Sequence, residues 1–432
     1  MVGKGIISGH LSIIMILIYR IHLLVDSLLK KKRPVPRNEE MMELDDSKSI
    51  VQKIMIEFAR QTGLLSSEEA PRRYLWTDAF AVCNFLELYR QTGEHRFRQL
   101  ALNLVDQVHN VLGRHRDDDP RTGWISGLDE EHGRIHPTKG GLRIGKGMNE
   151  RRPGDPFDEQ LEWDRDGQYY HYLTKWMHAL NCVSRVTGES TYNRWAVELA
   201  KVVNARFTYA SPLGGQKRMY WKMSIDLSYP LVSSMGHHDP LDGFITYLQL
   251  QAAAAKNSYK SAELDLTSEI TDMVTMCKKK EWTTDDSLGI GELLSSTYKL
   301  AQLIINEGME HEEFLEILLA SALTSLKAFE RRNFLKLPAN HRLAFRELGL
   351  SIGMHAIERL LKLIEHAPQC FNRKSYLQSQ AENLMKYAPL GNFIEKYWLD
   401  PKNRQDGNWL DHHDINMVML ATSLLPDGYL AT

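Results

Sequence analysis

Six short clusters carry the side chains best suited to moving protons or holding a sugar. They are Trp76-Thr77-Asp78, Trp163-Asp164-Arg165-Asp166-Gly167, His237-His238-Asp239-Pro240-Leu241-Asp242-Gly243, Asp285-Asp286, His341-Arg342 and Asp411-His412-His413-Asp414. Each falls just before or at the start of a long apolar run. An acid in that place caps exposed backbone N–H groups and suits the positive end of a helix dipole, which is reason enough for any single aspartate. Capping does not ask for paired histidines or repeated Asp-Gly. A ring of carboxylates, imidazoles and indoles at one mouth suits glycosidic-bond chemistry, where one carboxyl protonates the leaving oxygen and a second activates water or attacks the anomeric carbon.

Other chemistries have less support. The His-His-Asp and Asp-His-His-Asp runs look like ligand clusters, but adjacent histidines on a helix point about 100° apart. There is no His-Glu-x-x-His pattern, so neither a metal nor another cofactor is expected. The run Gly140-Gly141-Leu142-Arg143-Ile144-Gly145-Lys146-Gly147 lacks the spacing of a phosphate loop. It is expected to be a mobile basic lid, with Arg143 and Lys146 available to a carboxylate or sulfate. No Gly-x-Ser-x-Gly elbow occurs.

The elements that must position these clusters are helical almost throughout. Tyr74 to Gln91 is apolar nearly all round, as in a helix buried on every side, whereas Phe97 to Leu112 places its apolar residues at i, i+3, i+4 spacing on one face. The alternation repeats: Gln168–Val186 with Tyr192–Val203, Leu241–Ala255 with Ala262–Lys278, Leu288–Ile305 with Glu312–Phe329, and His341–Ile364 with Tyr376–Tyr387. Ile415–Leu425 closes the series opposite a first helix that starts at Ser49 and ends near Gly63. Internal similarity reinforces the pattern, since two buried helices end in the same Arg-x-Thr-Gly-Glu turn, at Gly93 and Gly188. Alternating strand patterns are absent apart from short hairpin pieces in the long connections.

Turns from a buried helix to its amphipathic partner are short, and glycine just past the helix end is the expected left-handed cap. The return connections are mostly long, from Arg114 to Glu162, Phe207 to Met235 and Ala388 to Leu410. A closed ring of such hairpins puts every long loop on one face. The fold class is therefore all-α, an (α/α)6 toroid, with the six clusters at its long-loop mouth. Trp124, Trp163, Trp221, Trp282, Trp398 and Trp409 fall in those connections, and Trp76 begins a buried helix there. Indoles on one face suggest an aromatic-lined, sugar-stacking site.

A chain of 432 residues with 43% apolar content can bury a large core, and a net charge of −2 gives no field for nucleic acid. Cys83, Cys182, Cys277 and Cys370 are scattered, which points to buried thiols in a reducing, cytoplasmic compartment. Residues 1–45 are expected to lie outside the 46–432 domain. Ile6 to Leu29, within residues 5–29, precedes Lys30-Lys31-Lys32-Arg33 like a membrane anchor, although Arg20, His22 and Asp26 interrupt it. A disordered leader and an over-extended start before Met41 or Met42 are the alternatives.

The array resembles the six-hairpin glycosidase superfamily over about residues 49 to 425. Its most specific stretch, Trp-Asp-Arg-Asp-Gly-Gln-Tyr-Tyr from Trp163 followed by Val186-Thr187-Gly188-Glu189, looks like unsaturated glucuronyl and rhamnogalacturonyl hydrolases. That resemblance implies Asp166 as the catalytic acid acting on a small carbohydrate. Asp78 or Asp242 would then place water, with Trp76, Trp163 and Trp409 as stacking platforms. The interval from Asp166 to Gly188 is longer than in that family, which brings His171 nearer the expected place, while Asp78 keeps a family-like interval to Gly93. N-acylglucosamine 2-epimerases share the toroid and use inner-helix histidines, which makes His237, His238, His412 and His413 the alternative site. A non-catalytic scaffold toroid is the third reading.

Overall fold

The computed structural model describes residues 37–65, 70–210, 217–256 and 262–432. Two units are distinguished, Met1–Ser49 and Ile50–Thr432. Of the first, residues 37–49 are described, and they are helical. The apolar run from Ile6 to Leu29 lies outside the described residues. Among those described, no helix is long and apolar enough to cross a membrane.

Twelve helices carry the architecture: α1 (Arg37–Gln61), α2 (Leu75–Thr92), α3 (His95–Leu112), α4 (Tyr170–Thr187), α5 (Ser190–Phe207), α6 (Asp239–Lys256), α7 (Thr267–Cys277), α8 (Ser287–Glu307), α9 (Glu312–Arg332), α10 (Ala344–His366), α11 (Lys374–Met385) and α12 (His413–Leu424). The even-numbered helices pack in sequence, α2 on α4, α4 on α6, and so on to α12, which returns to α2 and closes the ring. Five odd-numbered helices, α3 to α11, pack outside, each on the inner helix before it. Helices α1 and α12 meet at Asn84 of α2, whose amide donates to Met55 Sδ (3.6 Å) and to the Val418 carbonyl (3.1 Å). This is an all-α, (α/α)6 toroid.

Burial follows the sequence pattern. In α2, Leu75 through Leu88 are all buried, whereas α3 buries Phe97, Leu100, Leu104, Val105 and Val108 on one stripe. Each fully buried leucine or phenylalanine contributes about 1.5–3 kcal/mol through removal from water. The tightest contact is between α8 and α10, where a Cβ on Gly291 would stand 2.0 Å from the Gly349 carbonyl oxygen. Only glycine lets those two backbones approach so closely. Gly93 and Gly188 end α2 and α4 at φ 71° and 77°, the left-handed caps their turns require.

The long connections are more ordered than their composition suggests. In one small sheet the central strand β4 (Lys222–Met223) pairs with β1 (Gln168–Tyr169) and with β5 (Pro230–Val232), and β2 (Thr208–Tyr209) pairs with β3 (Arg218–Met219). The stretch expected as a loop from Ala388 to Leu410 contains two further helices, Pro389–Leu399 and Gly407–Asp411. The Gly140–Gly147 run is not a free lid. Leu142 and Ile144 are fully buried, the Ile144 carbonyl accepts from Leu75 N at 3.0 Å, and a Cβ on Gly145 would meet the Arg73 carbonyl at 2.2 Å. Its two apolar residues sink into the core beneath the glycines, which outweighs the flexibility glycine confers.

Candidate active site

The starts of inner helices α2, α4, α8, α10 and α12 surround a cavity of about 930 Å³ on the long-loop face. Its aromatic wall comes from three connections and two helix starts. Trp163 is 48% exposed and stands edge-on to Trp221 at 5.2 Å between ring centres. Trp221 in turn lies parallel to the His171 imidazole at 6.1 Å. Trp76 meets His171 edge-on at 5.9 Å, and the Tyr74 and Tyr172 hydroxyls share a hydrogen bond of 2.7 Å. Flat apolar faces beside hydroxyls and imidazoles are what a sugar ring needs, since it has an apolar C–H face and a polar rim.

Two histidine–carboxylate pairs border this cavity or stand just behind it. His171, on the first turn of α4, has Nδ1 3.8 Å from Asp239 Oδ1 at the start of α6. That gap is longer than a hydrogen bond, and Nδ1 is buried without a partner among the described residues. His171 lines the cavity, where a ligand can reach it. Burial pushes His171 down to about 3. It also raises the Asp239 carboxyl to about 7, helped by the charge of Asp242 nearby. Below about pH 7 this pair therefore offers an unprotonated imidazole with a proton-bearing carboxyl behind it. The second pair is built differently. His413 Nδ1 lies 3.4 Å from Asp414 Oδ1, and Arg72 stands 3.6 Å from the other carboxylate oxygen. The hydrogen bond from His413, outweighing partial burial and aided by Arg72, holds Asp414 below the usual carboxylate range. One imidazole is thus backed by a carboxyl that keeps its proton, the other by a carboxylate that gives it up.

Beneath the cavity, the bore of the ring is filled by a paired polar network. Lys175 Nζ reaches Asp242 at 3.0 Å and Glu292 at 2.7 Å. Burial works against its charge, but the two carboxylates hold the ammonium well above the ordinary lysine range. Deeper, Lys299 lies 3.8 Å from the centre of the Tyr429 ring, and Tyr429 stacks on Phe80 at 4.4 Å. Tyr429 belongs to the short C-terminal helix Asp427–Leu430, which contacts α2 and α8 and plugs the ring from the short-turn side. Among the described residues, one group could share a metal ion: Cys83, His178 and Cys182, buried at that far end with ligand atoms within 4.8 Å of one another. It lies in neither of the histidine runs singled out from the sequence.

The sequence-predicted residues divide into three groups. Trp76, Trp163, His412 and His413 border the cavity. Asp166, Asp78 and Asp242 do not. Asp166 is fully buried and accepts from Arg143 (2.9 Å), Arg116 (3.3 Å) and the Gly145 amide (2.9 Å), so it pins the loops and presents no acid to a ligand. Asp78 accepts from Arg73 (3.2 Å) and the Tyr74 amide (2.9 Å) at the start of α2, with burial raising it to about 6. Asp242 is committed to Lys175 in the bore. The remaining three are displaced. His237 and His238 lie away from this cavity, where His238 stacks on Trp282 with Nε2 3.3 Å from the Trp282 carbonyl and His237 meets the same indole edge-on. Trp409 is buried against Trp398, 5.5 Å between ring centres, and offers no face to a ligand. Sequence reasoning did not choose His171, Asp239, Tyr172 or Trp221 as site residues. A signal existed for His171: with Lys175, His178 and Cys182 it forms a polar stripe at 4, 3 and 4 residue intervals along an otherwise apolar α4.

No protein-family model matches the chain, and no curated protein matches it. Among solved structures, it is similar to a cellobiose 2-epimerase from Spirochaeta thermophila, with 12% identity over 87% of this chain and 98% of that one, TM-score 0.45. It is similar to a GH76 α-mannanase from Bacteroides thetaiotaomicron, with 11% identity over 89% and 97% of the two chains, TM-score 0.47. It is also similar to a sugar epimerase from a ruminal bacterium, with 11% identity over 87% and 97%, TM-score 0.44.

Proposed function

We propose that this protein is a carbohydrate-active enzyme, and that it moves a proton at the carbon beside the anomeric centre, as a sugar 2-epimerase or isomerase does. The supporting observation is the pair of imidazoles, His171 and His413, on two inner helices bordering one aromatic cavity, with carboxyl partners of opposite protonation. In this reading His171 Nε2 takes the proton, and the Asp239 carboxyl, 3.8 Å from Nδ1, orients the ring by accepting from Nδ1–H once a bound sugar closes that gap. His413, backed by Asp414, returns a proton from its own side. Trp76, Trp163 and Trp221 hold the ring. Glycoside hydrolysis would need two carboxyls facing the bond; the three carboxylates expected for that role are paired with arginine or lysine, which would leave it to Asp164, Asp411 and Asp414 of the cavity lining.

The test is a panel of free aldoses, aminosugars and reducing disaccharides in D2O, with aryl glycosides and unsaturated uronyl disaccharides alongside. Deuterium entering the carbon beside the anomeric centre, with epimer or ketose accumulating, is the expected result. His171→Asn and His413→Asn should each lower kcat about 10²–10⁴-fold with little change in KM. Bond cleavage without exchange would overturn the reading in favour of a hydrolase. A folded chain that does neither on the whole panel would favour a binding toroid.

A further inference from the structure

The polar stripe of α4 runs past the bore to the opposite face of the ring. There a second cavity, of about 840 Å³, is bordered by Cys182 and Arg185 of α4, Arg90 of α2, Arg359 of α10 and Gly428 of the C-terminal segment. It shares no lining residue with the mouth cavity. Cys182 forms part of its wall while only 2% exposed. Behind it stand Cys83 of α2 and His178, all three ligand atoms within 4.8 Å of one another. Arg185 Nη2 donates to Cys182 Sγ at 3.3 Å, and His178 Nε2 lies 3.6 Å from the same sulfur.

Three soft donors would ordinarily suit zinc or copper(I). The neighbours argue against a cation. Arg185 is on the sulfur, and Lys299 Nζ is 3.4 Å from His178 Nε2. Both imidazole nitrogens are already engaged, Nδ1 with Gln249 Oε1 (3.1 Å) and Nε2 with the Tyr429 carbonyl (2.8 Å). Arg90 and Arg359 of the cavity wall are paired with Glu87 and Asp427, but Arg185 lies directly on the sulfur and favours an anion there, which is the condition for thiol reactivity.

We infer that Cys182 is a hydroperoxide-reactive thiol reached from the short-turn face, and that Cys83 resolves it into a disulfide joining α2 to α4. The Cys182 sulfur attacks the terminal oxygen of a hydroperoxide. The O–O bond breaks, leaving Cys182 as a sulfenic acid and releasing hydroxide or alkoxide, which takes up a proton. Cys83 then gives up its proton and attacks the sulfenic sulfur, the S–O bond breaks, and water leaves as the S–S bond forms. The two thiols lose two electrons and the peroxide gains them. The hydrogen bond from the Cys83 thiol, outweighing burial and joined by His178 and Arg185, lowers Cys182, while Cys83 is raised. Cys182 borders the cavity and Cys83 stands behind it, which assigns attack to Cys182 and resolution to Cys83. The inference does not depend on which sugar, if any, the mouth accepts.

The experiment treats the reduced full chain with hydrogen peroxide and maps every cysteine by mass spectrometry. Wild type should lose two hydrogens and give a linked Cys83–Cys182 peptide. In Cys83→Ser, dimedone should label Cys182 about tenfold faster than Cys370, although Cys370 is the more exposed thiol. Faster labelling of Cys370 than of Cys182 overturns the proposal. So does wild type that keeps Cys83 and Cys182 reduced while Cys370 oxidises, a result that needs no variant to fold. One equivalent of zinc in the protein as purified, with Cys83 and Cys182 unreactive, would also overturn it.

Discussion

Replacing Asp239 by asparagine isolates the strongest electrostatic claim about the mouth. The carboxyl is buried, accepts from the Gly236 amide at 3.2 Å, and carries a folded pKa of about 7 against an ordinary 3.8. Between those two values the native state keeps a proton that the unfolded chain has released. The native state then binds more protons, so stability falls as pH rises through the window and levels off above about pH 7. The accumulated loss is roughly 4 kcal/mol, from about 1.4 kcal/mol for each pH unit, and it is an upper figure because Lys175 and structural relaxation share it. The substituted amide has no proton to lose in either state. Urea unfolding of both chains, followed by circular dichroism from pH 4 to pH 8, should show the variant gaining on wild type by roughly 2–4 kcal/mol across that range. Asp78, raised by burial to about 6, contributes to both chains and cancels in the difference. The same change should impair any proton transfer at His171. An asparagine that turns its N–H to Nδ1 leaves the imidazole hydrogen on Nε2, where it cannot act as base. A stability difference constant with pH would refute the argument that Asp239 enters the fold with its proton.

Two further outcomes test the ring itself. Lys175→Met strands Asp242 and Glu292 in the bore and should cost about 3–5 kcal/mol in urea unfolding. Replacing both carboxylates by amides in the same chain should recover most of that loss, and a failure to do so would mean that Lys175 acts through packing. Gly291→Ala drives a methyl group against the Gly349 carbonyl and should lower the melting temperature by several degrees, about 1–3 kcal/mol. A variant melting within a degree of wild type would show that α8 and α10 can part freely.

The fold was legible because its signals are local. Thr92 Oγ1 donates to the Leu88 carbonyl and accepts from the Glu94 amide, Gly93 supplies the left-handed cap, and Thr187-Gly188-Glu189 repeats the device. Apolar periodicity then divided inner helices from outer ones. The site was less legible because an aspartate at a helix start looks the same whether it faces a cavity or an arginine. Asp166 is claimed by Arg143 and Arg116, 23 and 50 residues away in sequence, and no local pattern announces either partner. Trp163 and Trp409 occupy similar positions in similar loops. Trp398, brought up by the unexpected helix Pro389–Leu399, buries the second and leaves the first exposed. His171 entered only through a spacing argument, because no acid stands beside it in sequence and its partner Asp239 lies at the start of another inner helix.

The stripe His171, Lys175, His178, Cys182 explains how one inner helix can serve two faces without mixing them. From His171 to Cys182 the helix advances roughly 16 Å. Between the two ends, Lys175 is tied to α6 and α8, and His178 to α6 and to the C-terminal plug. These polar side chains in the bore each have a partner from a neighbouring element, so the bore is a closed network rather than a channel. A ligand entering the mouth therefore meets the helix starts and their aromatic loops, and goes no deeper than Lys175. Chemistry at the mouth is therefore left to groups on the helix starts and on the loops that frame them. Asp78, Asp166 and Asp242 are held there by arginine or lysine, whereas His171 and His413 border the cavity.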